Sequence, residues 1–505
     1  MKLPHSYQNE IIDGVSEGAS KKRPPSLHAF PADVYRPVLL DRGYFVMKLI
    51  IDASLALFVA VACHATSLFA VESGARPNVI VIVADDLGYG DLGFQGGKDV
   101  PTPNIDSLAQ NGVRFTDGYV TGTVCSPTRA GLLTGRYQQR FGHEFNPGGV
   151  DQTMGTMLGL PLSESTIAEA MRQAGYKTAL IGKWHLGSDE QLRPLQRGFD
   201  EFYGFLGGAH PYVPNKKSGG GGPIYRGNKQ INAPEHLTQA FGEEAAAFIE
   251  REKGRPYFLL LTFNAVHNPL QPDAEHLARF EKISDPKRRG YAGLLSGLDD
   301  AVGQVLQAVR ESGEEENTLI VFLSDNGGPQ QHNGSNNAPL RGDKGTVLEG
   351  GVRVPFALQW KGSIPAGSVY KQPVISLDIT ATAAALAGAS LGAADRPIDG
   401  VNLIPFVLGE MEEAPHASLF WRAGSQHAIR RGEYKLVQQA GGRPQLYDVV
   451  ADVGEKQDLA AAKPELVEEL SAAYDAWDRQ LVPPLWEGGR SRRKANAANR
   501  AGRAE

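Results

Sequence analysis

Four short apolar runs along the chain each end in polar or ionisable residues. They cover residues 79–83, 178–181, 257–263 and 319–323. Runs this short and continuously apolar are typical of strands buried on both faces. Segments with helical spacing of apolar residues lie between them, at 104–111, 165–174, 242–252 and 291–312. This alternation predicts an α/β fold with a large, mostly parallel sheet and helices on both of its faces.

The pattern changes after about residue 375. Short strand-like runs at 418–422, 427–430, 434–437 and 445–448 are separated by turns such as Gly441-Gly442. They predict a small C-terminal antiparallel sheet, packed with a helix over 464–480. We therefore expect a main domain over 76–375 and a C-terminal subdomain over 376–487. The Arg-, Lys- and Ala-rich tail over 488–505 is predicted to be disordered.

The N-terminal region has the pattern of a leader. Met47-Lys48 precede an apolar run at 53–62, which small residues follow, and this is typical of a signal peptide over 47–75. Since signal peptides open chains, we expect translation to start at Met47, with 1–46 a non-native extension. The mature chain is then exported to the periplasm or beyond without a transmembrane span. Cys63 follows Ala60-Val61-Ala62, which leaves lipid anchoring open.

Composition excludes several classes of protein. The 505 residues carry a formal net charge of −6, which gives no nucleic-acid footprint. The chain has two cysteines, Cys63 and Cys125, and the first lies in the predicted leader. Cys125 then has no disulfide partner, which excludes a disulfide framework and a cysteine-rich zinc site.

Oxygen-bearing side chains follow two of the predicted strands. Asp85 and Asp86 end the first strand, and Asp325 and Asn326 end the fourth. Either pair alone is also typical of a helix cap or a turn. Because the sites of open α/β sheets lie at the carboxyl ends of the strands, we expect the two pairs to meet. Such ligands suit Ca²⁺ or Mg²⁺ and disfavour zinc.

A short motif begins at Cys125, and its residues are also typical of the start of a helix. It runs Cys125-Ser126-Pro127-Thr128-Arg129 and is followed by Leu132-Leu133-Thr134-Gly135-Arg136. We expect Ser126 to be the N-cap, Pro127 the first helical residue and Gly135 the residue after the helix. The motif resembles the signature of the formylglycine-dependent sulfatases, in the alkaline phosphatase superfamily.

The resemblance implies a mechanism. A maturation enzyme would oxidise Cys125 to formylglycine, whose hydrated form attacks the sulfur of a sulfate ester and later expels sulfate. One calcium ion would be held by the set Asp85, Asp86, Cys125, Asp325 and Asn326. A plain cysteine cannot complete the second step, so the modification is expected to be essential.

Three further elements extend the resemblance over about residues 76–460. They are Lys183-Trp184-His185, His267-Asn268-Pro269 and Gly342-Asp343-Lys344-Gly345. By resemblance, the catalytic set also includes Arg129, and Lys183 and Lys344 bind sulfate. His185 is then the base and His267 the proton donor. The reverse assignment of these two roles is equally compatible with the sequence, because sequence does not give geometry. The domain over 76–375 is thus expected to be the catalytic one.

A loop after the nucleophile motif offers candidate substrate contacts. His143, Glu144 and Asn146 could donate or accept hydrogen bonds with sugar hydroxyls, or serve only to structure the loop. His210 and Tyr212 are weaker candidates. Export suggests a sulfated polysaccharide or glycosaminoglycan as the substrate, by analogy.

Other functions are compatible with parts of this pattern. A phosphonate or phosphate ester hydrolase would share the sheet and the cysteine motif. A catalytically silent carbohydrate-binding relative would not need two lysines and two histidines beside a metal. A structural surface protein predicts neither activity nor dependence on a metal.

The mass of the peptide containing residue 125 tests the predicted modification. Conversion to formylglycine replaces the sulfur and two hydrogens of Cys125 with one oxygen, so we expect the corresponding mass loss after expression beside a competent maturation enzyme. An unmodified thiol under those conditions would contradict the resemblance-based mechanism.

Overall fold

The computed structural model of the protein describes residues 76–147, 158–214, 222–392 and 395–488. The predicted extension, signal peptide, Cys63 and all of the predicted tail except residue 488 lie outside these ranges. The described residues belong to one compact unit. Its strands are β1 (Asn78–Ala84), β2 (Val113–Phe115), β3 (Gly118–Tyr119), β4 (Lys177–Lys183), β5 (Glu201–Phe205), β6 (Ile224–Arg226), β7 (Lys229–Ile231), β8 (Tyr257–Thr262), β9 (Thr318–Ser324), β10 (Phe356–Gln359), β11 (Ser368–Tyr370), β12 (Val374–Ile375), β13 (Leu419–Ala423), β14 (Gln426–Arg431), β15 (Tyr434–Gln438) and β16 (Gln445–Asp448).

Helices connect and cover these strands. They are α1 (Pro103–Gln110), α2 (Cys125–Thr134), α3 (Ile167–Gln173), α4 (Leu237–Glu252), α5 (Ala274–Ala278), α6 (Pro286–Ser312), α7 (Gln330–Asn333), α8 (Glu349–Val352), α9 (Leu377–Ala387), α10 (Ile404–Val407) and α11 (Pro464–Asp478). The four helices predicted before residue 375 are present as α1, α3, α4 and α6. Helix α6 begins five residues earlier than predicted, because Asp285 accepts hydrogen bonds from the amides of Lys287 and Arg288 and Pro286 occupies the first turn.

The large sheet has ten strands in the described part of the chain, in the order β11-β2-β10-β9-β1-β8-β4-β5-β6-β7. Its centre, β9-β1-β8-β4-β5, is parallel throughout. The four predicted apolar runs are β1, β4, β8 and β9, which are consecutive neighbours there. The prediction of a large, mostly parallel sheet is confirmed.

Both faces of the sheet are buried, which explains the continuous apolar runs. In β1, Ile80 and Ile82 join an apolar cluster with α1, α4 and α6. Val79, Val81 and Val83 point the other way and join a cluster with α2, α3 and α9. Successive side chains of a strand alternate between faces, so both sets must be apolar when helices cover both sides.

The C-terminal region forms the predicted four-stranded antiparallel sheet, β13-β14-β15-β16. Helix α11 packs on it, with Trp477 stacked on Phe420 at 4.9 Å between ring centroids. The boundary placed between residues 375 and 376 stays a prediction. Helix α9, just beyond it, shares an apolar cluster with α2 of the preceding region.

Buried polar contacts tie the small sheet to the rest of the molecule. The indole nitrogen of Trp421 donates to the carbonyl of Val120 at 2.8 Å. The Lys435 ammonium donates to a Glu349 carboxylate oxygen at 2.7 Å, and both side chains are fully buried. No helix among the described residues is long and apolar enough to cross a membrane.

Lys435→Ala is expected to destabilise the protein strongly. Removing the ammonium leaves Glu349 buried with a weaker set of partners, so the free energy of unfolding should fall by about 3–5 kcal/mol. Urea or thermal unfolding measures this. Lys229→Ala, on the exposed strand β7, is the matched control and should change stability by less than about 0.5 kcal/mol. Equal effects of the two substitutions would contradict the prediction.

Candidate active site

The carboxyl ends of four neighbouring parallel strands are aligned at one edge of the sheet. Ala84 of β1 pairs with Ser324 of β9. Thr262 of β8 pairs with Val83 of β1 and with Gly182 of β4. The residues that follow these pairs therefore converge. As predicted, Asp85-Asp86 and Asp325-Asn326 lie side by side. Lys183 was expected just after the second predicted strand, and it is the last residue of β4.

Cys125 is the first residue of helix α2, which packs over this edge. Its side chain is buried, and Sγ lies 3.5 Å from Asp85 Oδ1. Gly135 ends the helix in the left-handed conformation, as predicted. The prediction that Ser126 is the N-cap is wrong, because the helix begins one residue before it. The amide of Ser126 lies in the first turn and has no partner within the helix. It donates to the side chain of Asn146 at 2.9 Å.

Arg129 anchors this helix to the sheet. Its guanidinium donates to Asp325 Oδ2 through Nε at 3.0 Å and Nη2 at 2.8 Å. Nη1 donates to the carbonyl of Lys183 at 3.0 Å. Arg129 therefore fixes the first turn of α2, including Cys125, relative to β9 and β4.

The two predicted lysines contact the cluster through different aspartates. Lys183 donates to Asp85 Oδ2 at 2.6 Å, and both side chains are fully buried. Lys344 donates to Asp86 Oδ1 at 2.5 Å and lies 3.2 Å from Cys125 Sγ. Burial opposes the charge of Lys344, but the neighbouring acidic groups outweigh it and hold its pKa well above the usual range.

The donor set fits a hard divalent cation. Ligand atoms of Asp85, Asp86, Cys125 and His267 all lie within 4.8 Å of one another. Asn326 donates its amide to Asp86 Oδ1 at 2.7 Å, while its own Oδ1 is buried without a hydrogen-bond partner. A buried oxygen lacking a donor suits a cation. Of the predicted ligands, Asp325 lies beside this group, where it pairs with Arg129 and accepts from the amide of Asp86 at 3.3 Å.

His267 lies at the accessible side of the cluster. Its Nδ1 donates to the carbonyl of Asn268 at 2.6 Å, since a carbonyl can only accept. Nε2 therefore faces the cluster, 3.6 Å from Asp86 Oδ2, and the side chain is 21 % exposed. This placement suits the exchange of a proton with a bound ligand.

His185 is buried next to helix α2, whose Ser126 donates a hydrogen bond to the His185 carbonyl. Burial and the positive charges of Lys183 and Arg129 hold its pKa well below the usual range, so the ring is neutral. Its Nδ1 is buried without a hydrogen-bond partner. The ring packs against Gly208, where a Cβ would lie 2.5 Å from Nε2.

Two site residues have left-handed backbone conformations. Asp86 has φ 64° and His185 has φ 60°. Non-glycine residues seldom adopt this conformation, and it costs on the order of 1 kcal/mol or more. Its occurrence at two residues that bring functional groups to the cluster indicates that their orientation is imposed by the surrounding structure.

The predicted substrate contacts have partners within the protein. His143 is fully buried, with Nε2 2.6 Å from the hydroxyl of Ser126. Glu144 pairs with Arg422 at 2.9 Å and accepts from the amide of Gly424 at 2.7 Å. Together with the bond that the Ser126 amide donates to Asn146, these contacts give all three residues a structural role. Contact of any of them with a substrate stays a prediction.

The two weaker candidates also bind backbone groups. The ring nitrogens of His210 lie 2.7 Å and 3.1 Å from the carbonyls of Pro211 and Gly222. The Tyr212 hydroxyl lies 2.6 Å and 2.8 Å from the carbonyls of Asn264 and His267. Tyr212 thereby supports the turn that carries His267.

Sequence reasoning missed Asn337 and Gly208. The side chain of Asn337 donates to the carbonyls of Gly328 and Gly342, at 2.8 Å and 3.0 Å, and accepts from the amide of Gly328. It thus ties the turn after Asn326 to the loop that carries Lys344. Neither residue belongs to a motif with a recognisable spacing, so only the folded structure reveals them.

As an unmodified thiol, Cys125 is a poor nucleophile. Burial raises its pKa to about 12, and the charge of Asp325 adds to the effect. The thiol is therefore neutral at pH 7, and the thiolate is the reactive form of cysteine.

Comparisons with known proteins define the class. The sequence model of the sulfatase family matches residues 77–389. The chain is 34% identical to the mouse (Mus musculus) N-acetylgalactosamine-6-sulfatase over 395 residues, covering 74% of each chain. It is 36% identical to the arylsulfatase of Hemicentrotus pulcherrimus over 384 residues, covering 71% of this chain and 67% of that one.

A solved structure agrees in fold. Ps i-CgsB, crystallised with k-i-k-neocarrahexaose, superposes with a TM-score of 0.76 at 37% identity, covering 81% of this chain and 94% of that one. The fold and these relatives define a sulfuric ester hydrolase. The chain belongs to the sulfatase family.

Gly208→Ala tests the importance of the His185 ring. The added methyl group occupies the space of the imidazole, so we expect the ring to move and kcat to fall by about 10- to 100-fold. Release of sulfate from an aryl sulfate measures this. Gly297→Ala is the control, because an added Cβ there makes only ordinary contacts, the nearest at 3.6 Å. This variant should retain activity. Full activity of Gly208→Ala would contradict the importance of the ring.

Proposed function

We propose that this protein hydrolyses sulfate esters on a sulfated carbohydrate, with a formylglycine made from Cys125 and one bound calcium ion. The observation that carries the proposal is the convergence of three carboxylates, three cationic side chains and Cys125 in one buried cluster. The carboxylates are those of Asp85, Asp86 and Asp325, and the cations are Arg129, Lys183 and Lys344.

Charge balance supports a cation and an anionic substrate. The three carboxylates and the three cationic side chains cancel formally. A divalent ion would leave an excess of positive charge in a site with little water, where an anionic ester is then strongly favoured.

The residues of the cluster fit both a calcium ion and a formylglycine at position 125. Asp85, Asp86, Asn326 and Asp325 would hold the calcium ion, with residue 125 completing the set. When present, calcium neutralises negative charge on the ester, and formylglycine supplies the nucleophile that the neutral thiol of Cys125 cannot provide. Arg129 sets the position of residue 125 through its bonds to Asp325 and Lys183.

The remaining side chains have distinct tasks. Lys183 and Lys344, which bind Asp85 and Asp86, would neutralise the oxygens of the sulfate group. His185 is neutral and buried beside the nucleophile helix, so it suits a base. His267 is partly exposed with Nε2 toward the cluster, so it suits the donor of a proton to the leaving oxygen.

The names of relatives support a carbohydrate substrate. One relative is named N-acetylgalactosamine-6-sulfatase, and Ps i-CgsB was crystallised with neocarrahexaose. We propose that this chain acts on a sulfated galactose-type sugar, in the periplasm or outside the cell after removal of the predicted signal peptide. N-terminal sequencing of the protein from its native host tests the export.

Cys125→Ala and calcium removal test the proposed chemistry. The enzyme is purified after expression with a formylglycine-generating enzyme and assayed for sulfate release from neocarrahexaose, N-acetylgalactosamine 6-sulfate and 4-nitrophenyl sulfate. We expect Cys125→Ala to lower kcat by about 10³-fold or more. Chelation should abolish activity, and added Ca²⁺ should restore it.

Matched lysine variants separate the cluster from general charge effects. Lys183→Ala and Lys344→Ala should each lower kcat/KM by about 10²-fold or more, whereas Lys371→Ala, an exposed lysine, should leave it unchanged. Full turnover by Cys125→Ala would refute the proposed mechanism.

Substrate pairs decide between the alternatives. A faster rate on a phosphonate or phosphodiester than on any sulfate ester would favour the phosphonate or phosphate ester hydrolase. Binding of the sulfated sugars without turnover would favour the catalytically silent relative.

A further inference from the structure

The hydroxyl of Ser126 joins the nucleophile helix to the backbone of His185. Ser126 Oγ lies 2.6 Å from the carbonyl oxygen of His185 and 2.6 Å from Nε2 of His143. A hydroxyl has one hydrogen and a carbonyl only accepts, so Ser126 donates to His185. His143 must then donate from Nε2 to Ser126. Burial lowers the pKa of His143 to about 3, which agrees with this neutral form.

This bond acts on a residue with an unfavourable backbone conformation. His185 has φ 60°, and its amide donates to the carbonyl of Leu206 at 3.1 Å. Its carbonyl is the group that Ser126 binds. The peptide groups on both sides of His185 are therefore fixed, one by the segment after β5 and one by the nucleophile helix. Among the described residues, no other hydrogen bond to the His185 carbonyl holds this second peptide group in its orientation.

A second layer holds His143 and Ser126. The ring of Trp486, from the C-terminal segment, packs edge-on against His143 at 4.7 Å between ring centroids. Its indole N–H lies 3.1 Å and 3.2 Å from the carbonyls of Phe145 and Asn146. The side chain of Asn146 accepts from the amide of Ser126. Trp486 therefore supports both the histidine and the asparagine that bind Ser126.

We propose that Ser126 and His143 are positioning residues that hold the His185 imidazole beside residue 125, with Trp486 as their support. The proposal rests on the proposed role of His185 as a base. His143 and Asn146 then act through the nucleophile helix. The C-terminal segment contributes to catalysis without touching the substrate.

Two substitutions of His143 separate the effect of its hydrogen bond to Ser126 from the effect of losing the ring. Glutamine places an amide nitrogen near the position of Nε2 and keeps the bond to Ser126, whereas asparagine mimics Nδ1, which has no hydrogen-bond partner here. We expect His143→Asn to lower kcat by about 10- to 100-fold, with KM changed by less than about two-fold, and His143→Gln to restore most of kcat. Rates on 4-nitrophenyl sulfate are divided by the formylglycine fraction at residue 125, measured by mass spectrometry.

A double-mutant cycle tests whether Ser126 acts through His185. We expect Ser126→Ala and His185→Ala each to lower the normalised kcat, and the double variant to lose no more than His185→Ala alone. Additive losses would overturn the proposal, because they would show that Ser126 acts independently of His185. Normalising to the formylglycine fraction removes any effect of Ser126→Ala on maturation.

Trp486→Phe tests the outer support. Phenylalanine keeps a ring against His143 and removes the N–H donor, so kcat should fall by a smaller factor than in His143→Asn. Trp360→Phe is the matched control, because Trp360 also donates its indole N–H to a carbonyl, that of Glu316, at the opposite end of β9. It should retain full kcat.

The outcomes distinguish this proposal from the proposed function. Suppose that the wild-type enzyme is active. An undiminished kcat in His143→Asn, or equal losses of kcat in His143→Asn and His143→Gln, would then overturn the positioning role alone. A correctly modified wild-type protein that releases no sulfate from any substrate would overturn the proposed function and the positioning role with it.

Discussion

A buried ion pair between Arg129 and Asp325 joins the two parts from which the site is built. Asp325 ends a central strand of the sheet, and Arg129 lies one helical turn after Cys125. Two guanidinium N–H groups donate to one oxygen of Asp325 and fix the angle at which helix α2 meets the sheet edge, and the third bond, to the carbonyl of Lys183, adds a second strand. Every distance between residue 125 and the carboxylates depends on this attachment. Loss of either partner would leave an uncompensated buried charge and a free helix end.

The parallel register of the sheet is the second requirement. Because Ala84 pairs with Ser324, the aspartates after β1 and β9 leave the sheet at the same level. A shift of one residue in either strand would send these side chains to the opposite face. The apolar residues of both faces of β1 prevent such a shift, since they pack into two separate clusters. The same apolar packing that stabilises the fold therefore sets the geometry of the charged cluster.

The sequence was most informative where periodicity and family motifs agree. The four central strands, and the meeting of Asp85 and Asp86 with Asp325 and Asn326, were predictable from apolar runs and their polar ends. Lys183 and Lys344 were identified from their resemblance to family motifs. The start of α2 was not, because Ser126 and Pro127 suit a cap, yet the amide of Ser126 is satisfied by Asn146 from a distant loop. Gly208 and Asn337 were also out of reach, since their importance comes from contacts between segments that no local pattern connects. The structural partners of the loop after α2 could not be predicted, because Glu144 pairs with Arg422 of the small C-terminal sheet, far along the chain.

The depth of Cys125 limits when the proposed conversion to formylglycine can occur. The side chain is 1% exposed in the folded protein, so an oxidising enzyme can reach it only before the sheet and helix α2 have closed around it. The last central strand, β9, is translated roughly 200 residues after Cys125. At about 5–20 residues per second this delay lasts on the order of 10–40 s. Synthesis itself thus provides an interval in which the cysteine is accessible and the fold cannot yet be completed. Under the proposed mechanism, the activity of the finished protein depends on whether the conversion of Cys125 or folding is faster.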